Sequence, residues 1–208
     1  MSDDSVWRLF GQAGCGSAIV EAALLLADIP YEPIAIDLAV LRDRDRLAAL
    51  NPLVEVPTAV LADGTVMTES AAMVLLIAER APHAGLAPAP GHADRPRFLR
   101  WLTFLVAAIY PTFTFGDVPT RYVPDGDRLR AATDARAQDL WRHVEAACGA
   151  PYFLGETRSA IDLYLSVMTR WRPRRPWFAA TCPRVHAAAI AIDREPRLAA
   201  LWAGHFGA

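Results

Sequence analysis

The chain predicts a small α/β domain followed by an all-helical one, and three observations carry that reading. Up to residue 82, short β-type runs alternate with helical runs, and one tight hairpin signal falls among them. A stretch rich in Pro and Gly follows. Beyond it the spacing of apolar residues is helical throughout, with no convincing strand pair.

Val6-Trp7-Arg8-Leu9-Phe10 reads as a first strand, with Gly11 to Gly16 as a Gly-rich turn behind it. A helix follows, with Ser17 as its expected cap and Glu21 in its first turn, running through Ile19, Val20, Ala23, Leu24 and Leu26 until Asp28 and Pro30 stop it. The next strand spans Glu32 to Leu38, with Ile34, Ile36 and Leu38 alternating against Asp37. A short polar helix around Arg44 to Leu50 ends at Asn51-Pro52. After Pro57, Ala59-Val60-Leu61 and Val66-Met67 are two strands joined by Asp63-Gly64, the strongest short hairpin signal available. Glu69 to Ala81 is the last helix of this half. That order describes a mixed sheet with helices on its faces, the thioredoxin-like arrangement.

The predicted boundaries are 1–82 for the α/β domain, 83–92 for a linker and 93–208 for the helical domain. In the second half Pro96 to Ala108, Asp127 to Cys148, Ser159 to Arg170, Pro183 to Asp193 and Arg197 to Ala203 show helical spacing. Pro111 is expected to end or kink the helix that carries Trp101, Phe104 and Leu105.

Composition excludes several classes. The 208 residues suffice for one large domain or two small ones. Long apolar runs are broken by charge, Gly or Pro before a bilayer is spanned, so no membrane segment is expected. Met1-Ser2-Asp3-Asp4 is acidic and has no apolar stretch behind it, unlike a secretory signal, so a cytoplasmic location is expected. Cys15, Cys148 and Cys182 are widely spaced without any C-x-x-C, which argues for free thiols and against a structural metal. A formal net charge of -2 gives no sign of a nucleic-acid binder. The chain has no Lys, which removes Schiff-base and P-loop lysine chemistry. Asn51 is its single Asn, and the Asn51-Pro52 pair taken alone is a turn starter.

The stretch from Val56 to Ser70 is the most informative. Pro57 at the start of a strand can fix a sharp turn, by a cis bond if the fold over-determines it, leaving the N–H and C=O of Val56 to pair with another extended backbone. At Ser70 a hydroxyl, free helix N–H groups and the positive end of a helix dipole converge, which suits a carboxylate. Taken alone, Glu69-Ser70 reads first as a plain helix N-terminus with an acidic residue favouring the dipole.

Asn51-Pro52-Leu53-Val54-Glu55-Val56-Pro57, Glu69-Ser70 followed by Ala71-Ala72-Met73, and Gly155 followed by Ser159-Ala160-Ile161-Asp162 stand in an order and spacing that resembles the glutathione transferase superfamily over the whole chain. The Ser159/Asp162 group resembles the family's capping box at the start of a buried helix, a folding element. The resemblance implies that Val56 pairs with the cysteinyl part of glutathione, that Pro57 is cis, that Ser70 takes the γ-glutamyl carboxylate and that Glu69 faces the α-amino group. Glu55 stands where relatives often carry a basic or amide side chain for the glycyl carboxylate, and Arg42 or Arg44 is the substitute this chain offers.

Glutathione reacts as a thiolate, and a free thiol with a pKa of about 8.5 is only slightly ionised at neutral pH. In the family, a Tyr, Ser or Cys in the loop after the first strand, or a helix N-terminus with backbone N–H groups, stabilises that anion. Here the loop is Gly11-Gln12-Ala13-Gly14-Cys15-Gly16-Ser17, and Gly14 stands where many relatives carry the active side chain. Cys15, close to a helix N-terminus that favours a thiolate, is the first candidate and Ser17 the second. Cys15 against the glutathione sulfur favours mixed-disulfide chemistry; a hydroxyl or N–H donor favours conjugation.

The resemblance also puts the second substrate among Tyr110, Phe113, Phe115 and Trp171, whose rings suit a small apolar electrophile. Arg170 to Arg175 reads as a solvated loop, and the five His residues, without metal-ligand spacing, receive no role. The expected protein is a cytoplasmic, homodimeric, detoxifying transferase with glutathione as co-substrate and no metal. Two other readings stay open: a non-catalytic binding or scaffold protein of the same fold, and a glutathione-dependent thiol oxidoreductase using Cys15.

Overall fold

A computed structural model describes residues 6–207; the acidic Met1-Ser2-Asp3-Asp4 lies outside the described residues. Residues up to Ala87 together with those from Asp193 onward form one compact unit, and Pro88–Ile192 a second. The helical domain expected over 93–208 is therefore divided: its last segment belongs to the first unit. The boundary falls after a short 3₁₀ turn, Pro82–Ala84, within the stretch read as a linker.

In the first unit, strands β1 (Trp7–Gly11), β2 (Tyr31–Ala35), β3 (Thr58–Val60) and β4 (Val66–Met67) form a sheet of order β2-β1-β3-β4. β1 is parallel to β2 and antiparallel to β3, and β4 is antiparallel to β3. The helices of this unit are α1 (Ser17–Leu26), α2 (Leu41–Ala48) and α3 (Ser70–Arg80). Successive strand residues face opposite sides. Phe10 turns to the α2 side, where it clusters with Ile36, Leu47 and Val60. Trp7 turns to the other, where Arg80 of α3 lies 5.3 Å over its ring, and α1 packs on α3. The hairpin closes as its sequence dictates: Asp63 accepts from the N–H of Thr65 at 2.9 Å, and Gly64 takes the φ of 83° that favours glycine.

The second unit holds α4 (Arg95–Phe104), α5 (Tyr110–Asp117), α6 (Gly126–Ala147), α7 (Ala160–Met168), α8 (Arg175–Thr181) and α9 (Pro183–Asp193). Pro111 does not end the helical run. A π-helical segment, Leu105–Ile109, precedes α5, which carries Pro111 in its first turn, so the α-helical ladder is interrupted just upstream of the proline. The continuous run Arg95–Asp117 is long and apolar enough to cross a membrane by length and composition, contrary to the reading of interrupted apolar runs. Its Phe98, Trp101, Leu102, Leu105, Ile109 and Phe113 are buried, the pattern of a core helix.

Every residue of α7 is buried. Its N-terminus is closed by the anticipated capping box, in which Asp162 accepts from the N–H of Ser159 at 2.8 Å and from the N–H of Phe153 at 2.7 Å. Burial pushes the Asp162 carboxyl up to about 6 against the opposing pull of those hydrogen bonds. The final helix, α10 (Ala199–Phe206), returns to the first unit and packs on α1. Just before it, Arg197 donates to the C-terminal carbonyls of Leu25 and Leu26 and pairs with Asp28, a cation at the negative end of the α1 dipole.

Candidate functional site

The sheet register gathers the candidate segments. β1 and β3 pair Phe10 with Thr58, so the end of β1 lies beside the start of β3. β3 and β4 pair Ala59 with Met67, so the chain leaving β4 toward Glu69-Ser70 emerges at the same end. β2 runs parallel to β1, which brings the start of α2, with Arg42, to that end as well. The Gly11–Ser17 loop, Val56-Pro57, Glu69-Ser70 and Arg42 thus share one end of one sheet.

The segment before β3 is built around Asn51. Its buried side chain donates to the carbonyl of Glu55 and to the Thr58 hydroxyl, both at 3.1 Å, and accepts from the N–H of Leu53 at 3.1 Å. The Thr58 hydroxyl in turn donates to the Glu55 carbonyl at 2.8 Å. These bonds hold Val54 at a φ of 56°, unusual for a β-branched residue, and deliver the chain to a cis Val56-Pro57 bond. Glu55 is thereby fixed through its backbone and is exposed at its residue surface, so its carboxylate is open to water. The Asn that sequence reasoning left as a turn starter is the hub of this segment.

α3 begins at Ser70, half-buried, with Glu69 preceding it at φ 64° and ψ 100°. Glu69 is exposed and its side chain makes no cap hydrogen bond. A strained non-glycine residue at an end without a side-chain cap suits an anion site better than a folding device.

The Gly11–Ser17 loop departs from the sequence expectation in two ways. The cap of α1 is Gly16, Ser17 being the first helical residue, and Glu21 lies beyond the first turn. The Ser17 hydroxyl is buried and donates to the carbonyl of Gln12 at 3.1 Å, which also accepts from the N–H of Cys15 at 3.1 Å. Gly11 is required here, because a Cβ on it would come within 2.6 Å of Ser17. Ser17 is thus a brace within the loop. Gln12 reaches across to accept from the N–H of Leu38 at 2.9 Å. Cys15 is half-buried immediately before the α1 cap, whereas Cys148 and Cys182 are buried in the second unit. Burial, reinforced by Asp162 and Glu145, pushes the Cys148 thiol up to about 12; burial and Glu145 push Cys182 up to about 11. Those two stay protonated at neutral pH.

Gly14 has φ 76°, which a Ser, Thr or Cys would adopt only with strain. Its N–H donates to Nδ1 of His205 at 3.3 Å. The Nε2 of His205 lies 2.9 Å from Glu21, and Glu21 accepts from the Tyr31 hydroxyl at 3.4 Å. Burial, then the charge of Glu21, raises the Tyr31 hydroxyl well above the usual phenol range. Sequence reasoning gave His205 no role, and nothing local to it signals one: its partner lies 191 positions away.

In the second unit Tyr110, Phe113 and Trp171 form one edge-to-face cluster, with Trp171 5.4 Å from Tyr110 and 5.1 Å from Phe113. Phe115, expected with them, instead meets Tyr122 at 4.9 Å and is exposed. Helical spacing explains the difference, since positions two apart on a helix face different sides. Arg172, read as part of a solvated loop, bridges Asp117 at 2.6 Å and Asp134 at 2.9 Å. Among the described residues no group of three His, Cys, Asp or Glu is placed to hold a metal.

The first unit is thus a thioredoxin-like one that carries a cis-Pro segment, a helix N-terminus and a Cys-bearing loop at one sheet end. Residues 9–88 match the family model described as the glutathione S-transferase N-terminal domain. The chain is 38% identical over 197 residues to the uncharacterized GST-like protein YncG of Escherichia coli K12, covering 92% of this chain and 94% of that one. It is 32% identical over 170 residues to the glutathione S-transferase GST-4.5 of Xanthomonas campestris, covering 79% and 81%. Among solved structures, a sphingomonad glutathione S-transferase complexed with glutathione superposes with a TM-score of 0.76 at 29% identity, over 93% of this chain and 96% of that one. The chain belongs to the glutathione S-transferase family.

Proposed function

We propose that the protein is a glutathione transferase that binds glutathione at the shared sheet end and presents its thiolate to a small apolar electrophile. The supporting observation is the convergence there of cis Val56-Pro57, the start of α3 at Ser70 and the Gly11–Ser17 loop. In this reading Val56 pairs with the cysteinyl backbone, Ser70 and the α3 dipole take the γ-glutamyl carboxylate, Glu69 faces the α-amino group and Arg42 answers the glycyl carboxylate. The family resemblance assigns the electrophile to the rings of Tyr110, Phe113 and Trp171, which cluster edge to face within the second unit. The protein acts as a cytoplasmic homodimer in detoxification.

A second reading, thiol exchange through Cys15, is favoured by one observation: the Ser17 hydroxyl is committed to Gln12, while the Cys15 side chain is half-buried at the head of α1. Calorimetric titration with glutathione, followed by a chlorodinitrobenzene conjugation assay on wild type and Cys15→Ala, tests both. Micromolar to millimolar binding with conjugation retained in Cys15→Ala is the expected result and assigns thiolate stabilisation to backbone N–H groups. Loss of conjugation, with a glutathione adduct on Cys15 in the mass spectrum of the wild type, assigns exchange. No binding at millimolar glutathione overturns both.

A further inference from the structure

We propose that His205, oriented by Glu21, is a positioning residue that fixes the conformation of the Gly11–Ser17 loop through the backbone N–H of Gly14. The inference rests on the reading of that loop as the thiol site, but its main test does not.

The geometry sets the tautomer. Nδ1 of His205 accepts from the N–H of Gly14, so it carries no proton; Nε2, 2.9 Å from Glu21, is then the protonated nitrogen and donates to the carboxylate. The side chains of His205 and Glu21 are only 10% and 12% exposed, so water competes weakly for either bond. Glu21 is held in turn by the Tyr31 hydroxyl from β2. The relay runs from β2 through α1 to α10 and ends on the residue next to Cys15. Gly14 lies at φ 76°, and its position is close enough to α10 that an added Cβ would sit 3.7 Å from the His205 carbonyl. The backbone at the place where relatives often carry an activating side chain is thus fastened by a residue 191 positions later.

The test is the backbone amide of Gly14 in the full chain, followed by NMR. In the wild type this amide should be protected from exchange with solvent. His205→Gln, whose amide can accept from Gly14 and donate to Glu21, should keep the protection, whereas His205→Phe should lose it. In the conjugation assay His205→Phe should lower kcat by about tenfold at nearly constant KM for glutathione, with His205→Gln restoring most of it. An unprotected Gly14 amide in the wild type overturns the proposal, even if His205→Phe does not fold. Equal loss of kcat in both variants overturns it too, as a packing effect. Absence of glutathione binding by the wild type would defeat the transferase reading and leave the amide measurement to decide this one.

Discussion

At the start of α7 the chain closes its own helix: Ser159 and Asp162, three positions apart, bond each other's backbone, and Asp162 also takes the N–H of Phe153. At the start of α1 the cap is Gly16, which has no side chain to give, and the preceding loop is held instead by His205 from α10. α3 resembles α1 in this respect, with no side-chain cap bond from Glu69. A cap supplied locally is a folding device that sequesters helix donors. An end positioned from a distance keeps its dipole turned toward the sheet end where the candidate ligand segments meet.

Three measurements break or sharpen that contrast. The largest effect is expected from Asp162→Ala, which strands two buried N–H groups and removes half of the capping box, for a loss of about 3 kcal/mol in urea denaturation. A loss under about 1 kcal/mol would remove the distinction between the two kinds of helix start. Next is Ser70→Ala, for which titration calorimetry should show glutathione affinity reduced by about tenfold, as for one hydrogen bond to a charged group. If stability falls as affinity does, α3 starts as α7 does. The smallest is a slope. Asp162 binds its proton more tightly folded than unfolded, so its contribution is fully present below the unfolded value of 3.8 and is lost as pH rises through about 6. Stability curves for wild type and Asp162→Asn should therefore diverge across that window and run parallel above it.

The same contrast explains what could be read in the sequence. The capping box, the Asp63-Gly64 hairpin and the Val56-Pro57 strand entry are legible because cause and effect lie within a few residues. The order of elements follows from their periodicity, and with it the fold. Asn51 was visible as a residue but not as a hub, because its partners Glu55 and Thr58 carry no mark of being partners until the loop has folded back. Ser17 was misassigned as a cap for a similar reason: a serine ahead of an apolar run looks the same whether it caps the helix or braces the loop behind it. Pro111 does not end the helical run, but the α-helical ladder is interrupted just before it by the π segment Leu105–Ile109. His205 and Arg197 had no local signal at all, since what each does depends on contact with α1.

That contact bears on biosynthesis. The sheet, α1 and the loop leave the ribosome early, and domains generally fold from the N-terminus as they emerge. Yet Arg197 and His205, which hold the end of α1 and the loop before it, are made 171 and 191 positions after the partners they bond. A nascent chain can thus own every segment of the candidate site and still lack its fastening, so a stop codon or fusion that displaces α10 should yield a folded sheet with an unset loop.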